Sequence, residues 1–256
     1  MTITSKAASA IAVGALLAAG VAPFMALATS TEEADCKLQA GITANVGTST
    51  VTVAQLITLG DCRINARNVR LNAAITRVSQ MNHLSTSIKS DLQATLSGTE
   101  NTLGTIKNKL DHDTDKATAL TDYRSIFRSV RVYALVLPRT WIVAAADRAE
   151  DTASKLQQVS ILLQARNGTF ASTTLQAANS ALIQDLNTNL VNAQANAAAA
   201  VTLVMPLVPD QGDEAVSTSN KAKLETAQMK VAAARVNLQT AVDDVAKIRA
   251  NFKLVP

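Results

Sequence analysis

Apolar residues near the C-terminus recur with a strict seven-residue spacing. Leu224, Val231, Leu238, Val245 and Phe252 mark one seam, and Ala227, Ala234, Ala241 and Ile248 mark the other. Such a double seam belongs to a helix packed along its length against other helices. Large residues in one seam and alanine in the other let neighbouring axes approach closely. A helix of about 36 residues here spans roughly 54 Å at 1.5 Å per residue.

The same spacing runs through the first half of the chain. Ile64, Leu71, Val78, Ser85 and Leu92 recur at sevens, with Arg67, Ala74, Met81, Ile88 and Thr95 in the second seam. This predicts one long amphipathic helix, imperfect at Arg67 and Ser85, ending near Ser97–Gly98. Leu103, Ile106 and Leu110 continue the stripe past that glycine. Leu120, Phe127 and Ala134, interleaved with Tyr123, Val130 and Leu137, predict the next helix, which Pro138 interrupts. An interior proline lacks a backbone donor and clashes one turn back, so a kink or break is expected there.

Ile142, Ala149, Leu156 and Leu163 resume the spacing one step out of register. That helix is expected to end at Asn167–Gly168, with Gly168 as a left-handed cap. Leu175, Leu182, Leu186, Leu190, Ala193, Ala197, Ala200 and Val204 follow a period near 3.6. Residues 205–213 read as a loop through Pro206, Pro209 and Gly212. Thr50–Leu59 is β-branched and reads either as a short strand or as the first turns of a helix. The fold class is all-α, an elongated bundle of long antiparallel helices with coiled-coil-like packing and one Pro-kinked central helix.

Composition agrees with that class. The chain is 48% hydrophobic but only 3% aromatic, with nine glycines and five prolines, too few for a many-turned β-fold. The net charge of +4 is mild, and no nucleic-acid-binding motif is present. Lys6, the uncharged run Ala7–Ala22 and Ala26-Leu27-Ala28 have the order of a secretory signal peptide, giving residues 1–28 as a leader. An uncleaved N-terminal membrane anchor is the alternative. Cys36 and Cys62 are the only cysteines, and in an exported chain an even count predicts a disulfide. Residues 29–62 are then an N-terminal segment closed by that bond, and residues 63–256 the helical bundle.

Few residues invite chemistry. Asp111, Asp113, Asp115 and Asp122 fall at positions one, three, five and twelve of a calcium-loop pattern, but Lys116 stands where that loop needs glycine and Asp122 where it needs glutamate. They read better as the start of a helix. Asp210, Asp213 and Glu214 read as a polar loop opening the last helix, and Asp243-Asp244 as a solvated face. No nucleophile elbow, P-loop or dinucleotide fingerprint occurs, so no enzyme and no cofactor are expected. Arg124, Arg128 and Arg131, at i, i+4 and i+7, would form a row on one helix face, either paired internally or available to an anionic surface. The segment 170–204 carries a single charge, Asp185, among many Asn, Gln and Thr residues.

The stretches RVYALVLP (131–138) and AAADR (144–148), with LDHDTD (110–115) upstream and VPDQGD (208–213) downstream, resemble a group of exported helical proteins encoded by ultrasmall, candidate-phylum bacteria. The resemblance implies export, an all-helical fold and a bacterial envelope setting. It brings no assigned activity and no site residues. The expectation is a non-enzymatic structural or binding module whose partner is an envelope polymer, a surface protein or anionic lipid headgroups, with self-association compatible and nucleic acid excluded. A membrane-active protein of pore-forming type is the alternative, and a hydrolase with an unrecognised site a weaker one.

Overall fold

The computed structural model describes residues 28–43, 46, 50–170 and 172–253. The expected leader, residues 1–28, lies outside them, except for Ala28, which opens the first helix. The elements are α1 (Ala28–Gln39), α2 (Val53–Ser79), α3 (Thr86–Asp111), α4 (Lys116–Arg128), a π-helical segment (Val132–Val136), α5 (Leu137–Asn167), α6 (Thr173–Val204) and α7 (Glu214–Lys253). No strand occurs among the described residues.

Helix starts follow from local side-chain chemistry. Thr52 and Gln55 form a capping box: Gln55 N donates to Thr52 Oγ1 at 3.2 Å, and Thr52 N donates to Gln55 Oε1 at 3.0 Å. That places residues 53–59 in α2, and Cys62 lies within the same helix. Ser85, Asp115 and Ser172 cap α3, α4 and α6. Asp213 Oδ1 accepts from Ala215 N and Val216 N at the start of α7.

The long helix expected from Ile64 to Gly98 is two helices. The chain leaves α2 after Ser79 and re-enters α3 at Thr86. Ser85 occupies the seam position because it is a cap, and α5 holds the link, with Asp147 Oδ2 accepting from Ser85 N at 3.0 Å. Gly98 breaks nothing, since it lies exposed within α3 with open space around it. Gly60 is the glycine that matters for packing. A Cβ there would overlap Leu110 Cδ2, so its absence lets α2 and α3 close up.

The helical path is irregular on the N-terminal side of Pro138. Helix α4 ends at Arg128, and Arg131 adopts a left-handed conformation (φ 47°) before the π-helical turn. Pro138 is the second residue of α5, and the π-helical turn that runs into it lies where a proline removes a backbone donor and crowds the preceding turn. At the other end of α5, Gly168 has φ −62° and is not left-handed. There Asn167 closes the turn, its Nδ2 donating to the Gln176 carbonyl at 2.9 Å and to Ser180 Oγ at 3.0 Å.

The core is continuous. Helix α6 has its most extensive contact with α7, followed by α5. The α7 seams are buried as the repeat requires, except that Val245 is half-buried and Asp244 takes a buried place beside it. Asp243-Asp244 is therefore no uniformly solvated face, and Lys247 Nζ meets Asp244 Oδ1 at 3.0 Å. In α6, Asn179 and Ile183 are buried while Leu175 and Leu182 are only half-buried.

Candidate functional site

The residues with most chemistry converge on the π-helical segment. Arg63 and Arg67, on α2, are each only 5% exposed. Arg67 Nη1 donates to Glu32 Oε1 at 3.3 Å and to the Arg63 carbonyl at 2.9 Å. Its guanidinium carbon lies 4.7 Å from the Phe127 ring centroid and 5.1 Å from that of Tyr133. Cations stack on aromatic faces because the ring quadrupole is negative there. Tyr133 Oη donates to Glu32 Oε2 at 2.6 Å, so one carboxylate serves both a cation and a phenol. Arg63 is 3.8 Å from Glu32 and 3.7 Å from Glu33.

Electrostatics follow from that burial. Desolvation pulls Arg67 below its ordinary value, with the Glu32 charge opposing. Tyr133 is pushed up to about 12, chiefly by burial and then by its bond to Glu32. The Cys36–Cys62 disulfide joins α1 to α2 beside this cluster, with a Cα–Cα distance of 5.6 Å. Helix α1 is thus held by a covalent bond and by the half-buried Glu32 carboxylate.

The other side of the segment faces the α6–α7 loop. Arg131 Nη2 donates to Asp210 Oδ1 at 2.8 Å, and its Nε lies 2.6 Å from Oδ2 without hydrogen-bond alignment. Asp210 is 5% exposed, and its bond to Arg131 holds its carboxyl below the usual range. Arg139 Nη1 donates to the Leu207 carbonyl at 3.2 Å.

These contacts break the expected arginine row. Arg124 and Arg128 lie exposed on α4, but Arg131 lies beyond its end and is committed to Asp210. The i, i+4, i+7 geometry presumed a continuous helix, which the left-handed Arg131 ends. Asp210 is accordingly a buried partner, not part of a solvated acidic loop. The calcium-pattern acids are dispersed in role: Asp111 pairs with Lys107 at 2.9 Å, Asp115 caps α4, and Asp122 lies within α4. Among the described residues no three acids, histidines or cysteines gather as a metal site.

Nothing in the sequence pairs Glu32 with Tyr133. The available signal was Arg67, a charge in an apolar seam, which requires a buried partner. Between α5 and α6 an open groove of about 470 Å³ is lined by Gln164, Ser180, Gln184, Asn187, Thr188 and Asn192 around Ile183 and Val191. No protein-family model, curated protein or solved structure matches the chain.

Proposed function

We propose that this chain is an exported, non-enzymatic helical-bundle protein with a structural or binding role at the bacterial envelope or outside the cell. The observation that carries the reading is the Cys36–Cys62 bond, which fastens the first helix after the leader to the bundle. Disulfides of this kind persist in oxidising compartments. The bundle is an elongated one of antiparallel helices, a reading supported by Asn179 near the start of α6 bonding Asn251 near the end of α7. Ser160, late in α5, bonds Asn187 in α6 in the same sense. Fractionation of producing cells, with mass measurement of the N-terminus, tests the placement. Export predicts an oxidised chain outside the cytoplasm, beginning after Ala28 or retained at the membrane by its leader. A reduced chain in the cytoplasm overturns it.

A pore-forming reading has one observation in its favour. A stretch within Lys116–Asn167 is long and apolar enough to cross a bilayer, but its window is 61% buried inside the bundle. Core packing accounts for that hydropathy. Dye leakage from vesicles separates the two readings, because the bundle reading expects none.

A further inference from the structure

The loop between α6 and α7 turns an apolar tip outward. Val208 is 62% and Met205 37% exposed, and Pro206 between them is exposed too, while Leu207 points into the core. The tip is held from several sides. Arg131 grips Asp210, whose Oδ1 also accepts from Gly212 N at 2.7 Å. Arg139 holds the Leu207 carbonyl, and Asn220 Nδ2 donates to the Val208 carbonyl at 2.8 Å.

Two cations flank it. The Arg128 side chain lies against Gly212, where a Cβ would come within 3.1 Å of its Cδ. Arg124 is one turn back on the same face of α4. Both are exposed, and neither forms an ion pair among the described residues. Of the acids at this end, Asp210 is buried, while Asp213 and Glu214 are exposed. Asp210 is neutralised by Arg131, Asp213 caps α7, and Glu214 lies in the first turn, where the helix dipole favours it. Asp122, on α4, is half-buried.

We propose that this end of the bundle docks on an anionic bilayer surface. Met205, Pro206 and Val208 enter the boundary between headgroups and acyl chains, and Arg124 and Arg128 pair with lipid phosphates. A tip already fixed by hydrogen bonds loses little conformational freedom on insertion. A soluble anionic polymer would use the arginines but leave the apolar tip in water, so the bilayer accounts for more of the surface. Arg131 becomes a positioning residue for the tip.

The docking takes its setting from the envelope placement, but its test is separate. Chain 28–256, which holds every described helix, is co-sedimented with vesicles of phosphatidylglycerol and phosphatidylcholine in equal parts, and with phosphatidylcholine alone. Binding is expected to the anionic vesicles and to weaken with salt. Val208→Asp lowers affinity about tenfold, and Arg124→Gln and Arg128→Gln lower it about fivefold each. These side chains are exposed, so circular dichroism of the variants should match the parent. Absence of binding to anionic vesicles overturns the proposal. So does a Val208→Asp chain that binds as well as the parent, because the apolar tip then takes no part in docking. Cytoplasmic localisation with vesicle binding intact would remove the envelope placement and leave the docking standing.

Discussion

Tyr133 donates a 2.6 Å hydrogen bond to Glu32 across 101 positions of sequence, and that bond joins the first helix to the centre of the fold. The same carboxylate, itself half-buried, faces the buried Arg67. Removing one partner of a buried pair leaves an uncompensated charge, which is costlier than the pair was stabilising. Glu32→Ala is therefore expected to lower stability by about 3 kcal/mol in urea unfolding. Tyr133→Phe, which removes one bond to a charged acceptor, costs about 2 kcal/mol. The double variant should cost less than the sum, because Tyr133 and Arg67 share Glu32. Strict additivity would mean that the contact does not couple the helices.

The same bond gives an alkaline signature. Tyr133 is raised to about 12 by burial first and by Glu32 second, with Arg67 and Arg70 opposing. An unfolded tyrosine titrates near pH 10, so between these values the folded chain binds a proton that the unfolded chain has released. Its contribution is fully present below about pH 10 and is lost as pH rises through about 12. Tyr123 is also raised by burial, and the chain has two tyrosines. Spectrophotometric titration should therefore show delayed tyrosinate formation in the native chain and ordinary titration in denaturant. Tyr133→Phe should flatten the fall of stability in this window, whereas an unchanged slope would move its cause elsewhere.

Reduction of Cys36–Cys62 is expected to act locally. The bond closes a separation of 26 residues, and such a loop stabilises by about 3 kcal/mol on the chain-entropy model. Hydrogen exchange in α1 should accelerate under reductant, while α6 and α7, which pack chiefly on each other, keep their protection. Equal acceleration throughout would show one cooperative unit instead of a strapped helix.

Where the apolar repeat was unbroken, the sequence was a sufficient guide, as in α7. It misled where one residue type serves two structural roles. Proline reads as a helix breaker, and Pro138 stands in the first turn of α5 directly after the π-helical turn, but α4 ends before Arg131, whose left-handed backbone no pattern announces. Gly98 reads as a terminator but is only an exposed gap in α3. Ser85 and Arg67, the two flaws in the early repeat, were the informative positions, one a cap and the other a buried cation. The partners Glu32, Tyr133 and Asp210 stayed hidden because long-range polar pairing leaves no periodic trace.

Asn179 shows a further polar choice within a seam. It is fully buried in α6, its Oδ1 accepts from Asn251 Nδ2 at 2.8 Å, and its own Nδ2 has no partner. A single polar pair in an otherwise apolar helix seam fixes register at a cost in stability, because a slipped pairing leaves both amides unsatisfied. Asn251→Ala should lower stability by about 2 kcal/mol, since it strands the Asn179 carbonyl oxygen in the core. Asn179→Leu removes the buried amide itself, and with it the unpartnered Nδ2, so it should leave stability equal or higher. The double change to leucine should then melt above the Asn251→Ala chain but show a less uniform α6–α7 pairing. Cysteine cross-linking at matched and one-turn-shifted positions reads the pairing directly. Cross-links confined to the matched positions in the double variant would show that the flanking alanine and leucine seams set the register without the asparagines.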